Sequence, residues 1–385
     1  MRKLFFILIV LLAAACKQKY DPPYTTPETG FLVVEGVVNS GQGNTTITLS
    51  RSTKLDNRTV LYEKNAMVKL EGDDNSSFQL TETTAGHYSM TGTGLNKLRR
   101  YRLTINTAGG KQYLSDFVPV RNNPPIDSIS WKRENGGLQL YTSTHDPSDS
   151  TRYYQWEYTE TWEFHSAFPA VLKYKIVQSG GSEHYSVVYR DSSTFGAVPG
   201  LYYCYNTVQS SSLLLGSSAK LSKDVIYLPL LFIEPFSVKL SVLYSIRVKQ
   251  YSWSKEGYAF LESMKKNTEA TGSVFDAQPS GLSSNIRCST DPTEPVIGFI
   301  NICPVQETRI FIKSTDLPGW GYNQGCVQTE FLNISDSIKK EASGLLPTYV
   351  VKSDPFGGIA SFYAAPASCV DCTLRGTPVK PSFWP

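Results

Sequence analysis

The sequence predicts a mainly β protein: an N-terminal Ig-like sandwich followed by a larger β-rich domain with one or two short helices. Three observations carry this expectation. Between residues 31 and 119, seven short alternating segments recur at about ten-residue spacing with Gly, Asn and Asp between them, which is sandwich patterning. Residues 153–165 read YYQWEYTETWEFH, with Tyr154, Trp156, Tyr158, Trp162 and Phe164 on one parity and Gln155, Glu157, Thr159, Thr161 and Glu163 on the other. A period of two is the side-chain alternation of a strand. Only one long segment, 252–269, carries helical spacing.

The chain begins with Arg2 and Lys3, then the apolar run LFFILIVLL from Leu4 to Leu12, then Ala13, Ala14, Ala15 and Cys16. That run is too short to span a bilayer as a helix but fits the core of a secretory signal. Small residues running directly into cysteine resemble the lipobox of bacterial lipoproteins, with Ala13 where leucine is commonest. The resemblance implies cleavage before Cys16 and acylation there, so residues 1–15 are expected to be a signal peptide. Each buried acyl methylene adds about 0.8 kcal/mol, so several chains anchor durably in a lipid leaflet. Residues 16–29 hold three prolines and no apolar periodicity, and are expected to form the lipidated tether.

The first sandwich is expected over 30–119, from FLVVEGVV, TTITLSR, AMVKLEG, SSFQLTE, GHYSMTG, YRLTINT and KQYLSDFVP. Ala66 to Tyr113 resembles carboxypeptidase-regulatory-like and transthyretin-like sandwiches, through Gly86-His87-Tyr88 and Tyr101-Arg102-Leu103. PVRNNPP at 119–125 reads as a linker, because Pro-Pro and Asn-Asn favour turns and extended chain. The second domain is expected over 120–385. Its strands are SISWK, LQLYTST, the aromatic stretch, KYKIVQ, HYSVVYR, VIYLPLLFI and the run 237–252, where Val238 to Gln250 keep one apolar parity. In 252–269, Tyr258, Leu261 and Met264 recur at helical spacing, with Ser254 as cap and Glu262 paired to Lys266. A shorter helix is expected from Asp336 to Ala342, capped by Ser335. Beyond residue 270 the chain is rich in Gly, Pro, Ser and Cys, with few long periodic segments.

Seven cysteines less Cys16 leave Cys204, Cys288, Cys303, Cys326, Cys369 and Cys372 as disulfide candidates. An even set in an exported chain points to up to three bridges, whose pairing spacing alone leaves open. Cys369-Val370-Asp371-Cys372 has redox-motif spacing without the flanking pattern of such a site, and reads as a structural staple.

Removal of Arg2 and Lys3 leaves 35 basic side chains against 34 acidic ones, so no basic footprint for nucleic acid exists. The four histidines, His87, His145, His165 and His184, form no metal-ligand spacing. Gly-x-Ser-x-Gly, Gly-x-Gly-x-x-Gly and P-loop patterns are missing. His145, Asp146 and Asp149 crowd one loop that could mimic a calcium site, though a polar turn explains it better. Glu157 and Glu163 lie about 20 Å apart along their strand, too far for a glycosidase pair. The expectation is a non-enzymatic protein without cofactor or metal. Aromatic strand faces are ordinarily core. Trp162, Phe164 and Phe168 run toward a loop end, however, and are the candidates for a ligand-facing patch.

Residues 244–288 (YSIRVKQYSWSKEGYAFLESMKKNTEATGSVFDAQPSGLSSNIRC), followed by EPVIGFI, resemble an uncharacterised family of Bacteroidota lipoproteins, catalogued as domain of unknown function 4249. The lipobox, the Pro-rich tether with Leu-Val-Val-Glu-Gly, and the tail with Cys369, Cys372 and Lys380-Pro381-Ser382-Phe383-Trp384 resemble it too. The resemblance implies an outer-membrane lipoprotein, lipid-anchored on the cell-surface or the periplasmic face. Its implied partner is a TonB-dependent outer-membrane receptor, and its implied role that of a binding or accessory subunit in uptake. The alternative is an envelope structural protein or adhesin built of β-sandwich modules.

Overall fold

The computed structural model describes residues 30–53, 59–92, 94–190, 199–269 and 283–385. The signal segment, Cys16, the tether and the Phe275-Asp276-Ala277-Gln278-Pro279 motif lie outside them. The molecule is mainly β with few short helices. All seven expected strands of the first sandwich form, among them Thr45–Arg51, Met67–Gly72, Ser77–Thr84 and Arg100–Asn106. FLVVEGVV is split into Leu32–Glu35 and Val38–Asn39 at Gly36. Gly36 has φ +127°, a backbone conformation that favours glycine. The alternating side chains Leu32, Val34, Ile47, Leu49, Val68, Leu70, Tyr88, Leu103 and Ile105 meet in one core.

This first sandwich draws on two parts of the chain. Its eleven-stranded sheet ends at one rim with Ile286–Cys288, paired to Gln112–Ser115, and at the other with Val296–Gly298, parallel to Leu32–Glu35. Ile302–Cys303 then pairs in parallel with Val38–Asn39. Segment 283–303 therefore closes a body begun some two hundred and fifty residues earlier.

The second sandwich packs Ile126–Glu134, Gly137–His145 and Val225–Ile233 against a five-stranded sheet. In that sheet Tyr153–His165 is central, flanked by Tyr203–Gln209 and Leu214–Ser217 on one side and Leu243–Ser252 on the other. Gln306–Lys313 pairs beyond Leu243–Ser252. Pro229 is accommodated in Val225–Ile233 at a register shift opposite Leu140 and Tyr141, which absorbs its missing N–H. The run expected to begin at 237 starts instead as a short 3-10 turn, Val238–Leu240, before the strand.

The 119–125 segment is fixed in place between the two sandwiches. Asn123 Nδ2 donates to the carbonyls of Gln250 and Pro304, both at 2.8 Å, and Gln250 Nε2 donates to the Pro124 carbonyl at 2.8 Å. Ser252 Oγ donates to the Asn122 carbonyl at 2.6 Å, and Asn301 Nδ2 to the Ser252 carbonyl at 2.7 Å. Buried amides satisfied on several sides hold one geometry.

The C-terminal part holds more regular structure than its composition predicts. Thr329–Leu332, Ile359–Pro366 and Leu345–Ser353 form a small sheet that packs with the hairpin Leu172–Ser179/Ser182–Tyr189 around Leu172, Val187, Ile338 and Phe362. The two expected helices run from Lys255 to Glu269 and from Ser335 to Lys340, beside single turns at Pro199–Tyr202 and Ala367–Val370. Ser335 is the first helical residue rather than the cap, and its hydroxyl accepts from the Tyr185 amide at 3.1 Å.

Two disulfides form, Cys204–Cys372 and Cys326–Cys369. The two cysteines of the CVDC motif therefore bond to different partners, not to each other. The first bridge ties the edge strand Tyr203–Gln209 to the C-terminal turn, and the second ties the small sheet's entry to its exit. Cys288 and Cys303 are buried thiols, which corrects their assignment as disulfide residues. They lie in separate apolar clusters, Cys288 in the first sandwich and Cys303 with Tyr251, Trp253 and Phe260.

Candidate functional site: a cleft between the sandwiches

The aromatic parity of Tyr153–His165 points into the second sandwich. Tyr154 and Trp156 are fully buried, and Trp162 and Phe164 are 6% and 2% exposed within the same core. The Lys239 ammonium sits 5.2 Å from the Trp162 ring and the Arg375 guanidinium 5.1 Å from that of Phe164. These two residues are core, which corrects their candidacy as a ligand-facing patch. Phe168 is half-buried against the Cys326–Cys369 region. Glu160, the carboxylate on the apolar face, receives Lys239 and Tyr244 hydrogen bonds.

The opposite parity makes the site. Gln155 and Glu157 project from the outer face of the central strand toward a cleft of about 970 Å³. Strand register places Gln155 beside Tyr251 and Glu157 beside Lys249, with Glu307 beyond Lys249. Tyr251 donates its hydroxyl to Glu157 at 3.0 Å, and burial followed by this carboxylate pushes the phenol far above its ordinary range. Phenol and carboxylate are thereby held as a donor–acceptor pair.

The facing wall is apolar. The helix Lys255–Glu269 presents Phe260, Leu261 and Met264, one face of a 3.6-residue period, and Phe299 packs 5.8 Å from Phe260. Gly257 permits the close seating of this helix, since a Cβ there would fall 2.7 Å from the Trp253 ring and 3.0 Å from that of Phe299. The third wall is the first sandwich, at Glu35, Val37, Thr46, Thr48 and His87. His87 Nδ1 lies 3.0 Å from the Thr48 hydroxyl.

Two residues of this lining carry a polar atom that is buried and unpartnered among the described residues, Gln155 Oε1 and Trp253 Nε1. Their side chains are 6% and 5% exposed. A buried polar atom left without a hydrogen bond costs about 1–3 kcal/mol, and here a carbonyl acceptor and an indole donor in that condition belong to residues beside a large cavity. Glu35, Glu157 and Glu307 outnumber Lys249, so the cleft disfavours anions. Its lining joins one apolar face to one hydrogen-bonding face.

The other sequence features resolve as structure. Burial opposes ionisation of Asp146, yet the Ser148 hydroxyl and amide, the Thr151 amide and the Ser150 hydroxyl hold its carboxyl well below the usual range. His145 Nδ1 lies 2.8 Å from Asp127. Among the described residues no group of three His, Cys, Asp or Glu side chains is placed to hold a metal ion, and no helix is long and apolar enough to cross a membrane. The cleft residues Gln155, Glu157, Lys249, Tyr251 and Trp253 escaped sequence reasoning. The only signal for them was the polar parity of the aromatic strand, which has no meaning until its neighbours are known.

The fold and the cleft define a mainly β protein with a cavity between its sandwiches. The chain belongs to the family described as Domain of unknown function (DUF4249), whose model matches residues 17–309. No curated protein matches it. Among solved structures, a pullulanase complexed with maltotriose from Anoxybacillus sp. LM18-11 is 12% identical, with 45% of this chain and 24% of that chain covered and a TM-score of 0.15. The chitinase ChiA74 from Bacillus thuringiensis is 13% identical, with 60% and 31% covered and a TM-score of 0.14. The chain spans less than a third of either enzyme, and likenesses at this level carry no argument.

Proposed function

We propose that the protein is an outer-membrane lipoprotein, anchored through acylated Cys16, that serves as a non-enzymatic binding or accessory subunit of a TonB-dependent uptake system. The single observation that carries the binding role is the cleft whose lining residues Gln155 and Trp253 each carry a buried, unpartnered polar atom. The signal-and-lipobox sequence supports the anchor, and the resemblance to Bacteroidota lipoproteins supports the partner. Affinity purification of the full chain in mild detergent is expected to recover a TonB-dependent β-barrel. Repeated recovery of no barrel, or an unmodified Cys16 by mass spectrometry of the native protein, would count against the reading. The adhesin alternative gains ground if deletion leaves uptake intact but weakens adhesion or envelope integrity.

A further inference from the structure

A second, smaller cavity of about 320 Å³ also borders Trp253, between the 119–122 segment and the start of the long helix. Its charged lining is entirely cationic, Arg121, Arg152 and Lys255, with no acidic side chain among the lining residues. We propose that this cavity binds a small oxyanion, a phosphate or a carboxylate group, between Arg121 and Lys255.

Arg121 is the deep element. Its Nε is buried and has no hydrogen-bond partner among the described residues. Its backbone N–H donates to the Ile302 carbonyl at 2.9 Å, so the residue is fixed at the junction of the sandwiches. Burial weakens its hold on the proton, and the Glu256 carboxylate opposes this only through space. Glu256 is itself turned toward its own amide and the Ser254 hydroxyl. A half-buried guanidinium with its Nε unpartnered and no bound carboxylate is an incomplete ion pair, and a bound anion completes it.

The other two cations have different constraints. Arg152 is held by the carbonyls of Asp149 at 3.1 Å, Leu221 at 3.3 Å and Ser218 at 3.4 Å. The Asp149 carboxylate, at 3.9 Å, compensates its charge in part. Lys255 is exposed at the first position of a fifteen-residue helix, where the helix dipole adds positive potential. The two cavities thus differ in sign, acidic in the large cleft and basic here, with Trp253 as their shared wall. One indole can therefore report occupancy of the smaller cavity.

The test is isothermal titration of the full chain in mild detergent and low-salt buffer with inorganic phosphate and, separately, with succinate, monitored in parallel by tryptophan fluorescence. At least one probe is expected to bind saturably and to be competed by raised sodium chloride. Arg121→Gln and Lys255→Gln are each expected to weaken that binding about tenfold or more, the loss of one charge-assisted hydrogen bond. Binding of phosphate alone assigns a phosphate ester and of succinate alone a carboxylate, and either result supports the site. If Arg121→Gln does not fold, the exposed Lys255→Gln decides alone. Failure of both probes to bind above the chloride background overturns the proposal, as does unchanged affinity in the folded variants.

Discussion

Lys239 Nζ lies 2.8 Å from each carboxylate oxygen of Glu160, and the Tyr244 hydroxyl donates to the same carboxylate at 2.8 Å. Glu160 is 3% exposed, on the apolar face of the strand at the centre of the second sandwich. Removing one partner of such a pair strands the other charge in a poorly hydrated place. Lys239→Met is expected to cost about 2–3 kcal/mol, below the 3–5 typical of a fully buried pair because the lysine is partly exposed. Glu160→Gln with Lys239→Met is expected to regain much of that loss. Urea denaturation of the single and double variants checks both figures.

Glu163 makes a pH-dependent clasp on the C-terminal tail. Its carboxylate accepts from the Trp384 indole at 2.9 Å and lies 3.0 Å from His165 Nε2. The His165 contact, with Trp384 and Lys380 assisting, holds its pKa below the ordinary value of 4.5 despite burial. A lowered folded-state pKa means the clasp contributes in full above pH 4.5 and is lost as pH falls through the lower folded value. Tryptophan fluorescence during acid titration is expected to show Trp384 released in that window. Glu163→Ala is expected to abolish that transition and release the tail at neutral pH.

The two disulfides and two thiols predict a definite chemical map. Non-reducing peptide mapping is expected to give the pairs Cys204–Cys372 and Cys326–Cys369. Burial pushes the Cys303 thiol up to about 11, so iodoacetamide at pH 8 is expected to leave it unmodified until the protein is unfolded. Replacing both cysteines of either bridge by serine is expected to cost about 2–4 kcal/mol, read as a lower thermal midpoint.

Gly257 reverses an ordinary rule. In an exposed helix interior, Gly→Ala stabilises by about 1 kcal/mol. Here the added methyl meets the Trp253 and Phe299 rings, and overpacking of this kind costs about 1–3 kcal/mol. Gly257→Ala is expected to be net destabilising in denaturant titration, and to alter the apolar wall of the cleft.

Periodicity was legible wherever one face of an element is buried. The parity of Tyr154, Trp156, Trp162 and Phe164 gave the central strand its orientation, and Tyr258, Leu261 and Met264 gave the helix its buried side. Partnership was not legible. Ile286–Cys288 and Val296–Gly298 are three residues each, too short to show a period, yet they form both rims of the first sandwich. Cys204 and Cys372 are 168 residues apart, and no local spacing joins them. Asn123 reads as turn chemistry in isolation, and its role emerges only when Gln250 and Pro304 supply carbonyls. The cleft shares this property, since its walls come from 33–48, His87, 155–157, 209–213, 249–264 and 297–307.

The two rim strands of the first sandwich have a consequence for how the molecule comes into being. A nascent or truncated chain ending before residue 283 exposes bare strand edges at both margins, and unpaired edges recruit other chains. The early segments must wait, partly assembled, until most of the second sandwich has been synthesised. The protein is thus a single cooperative object in its biogenesis, and the whole of it has to be made before any of it is safe from self-association.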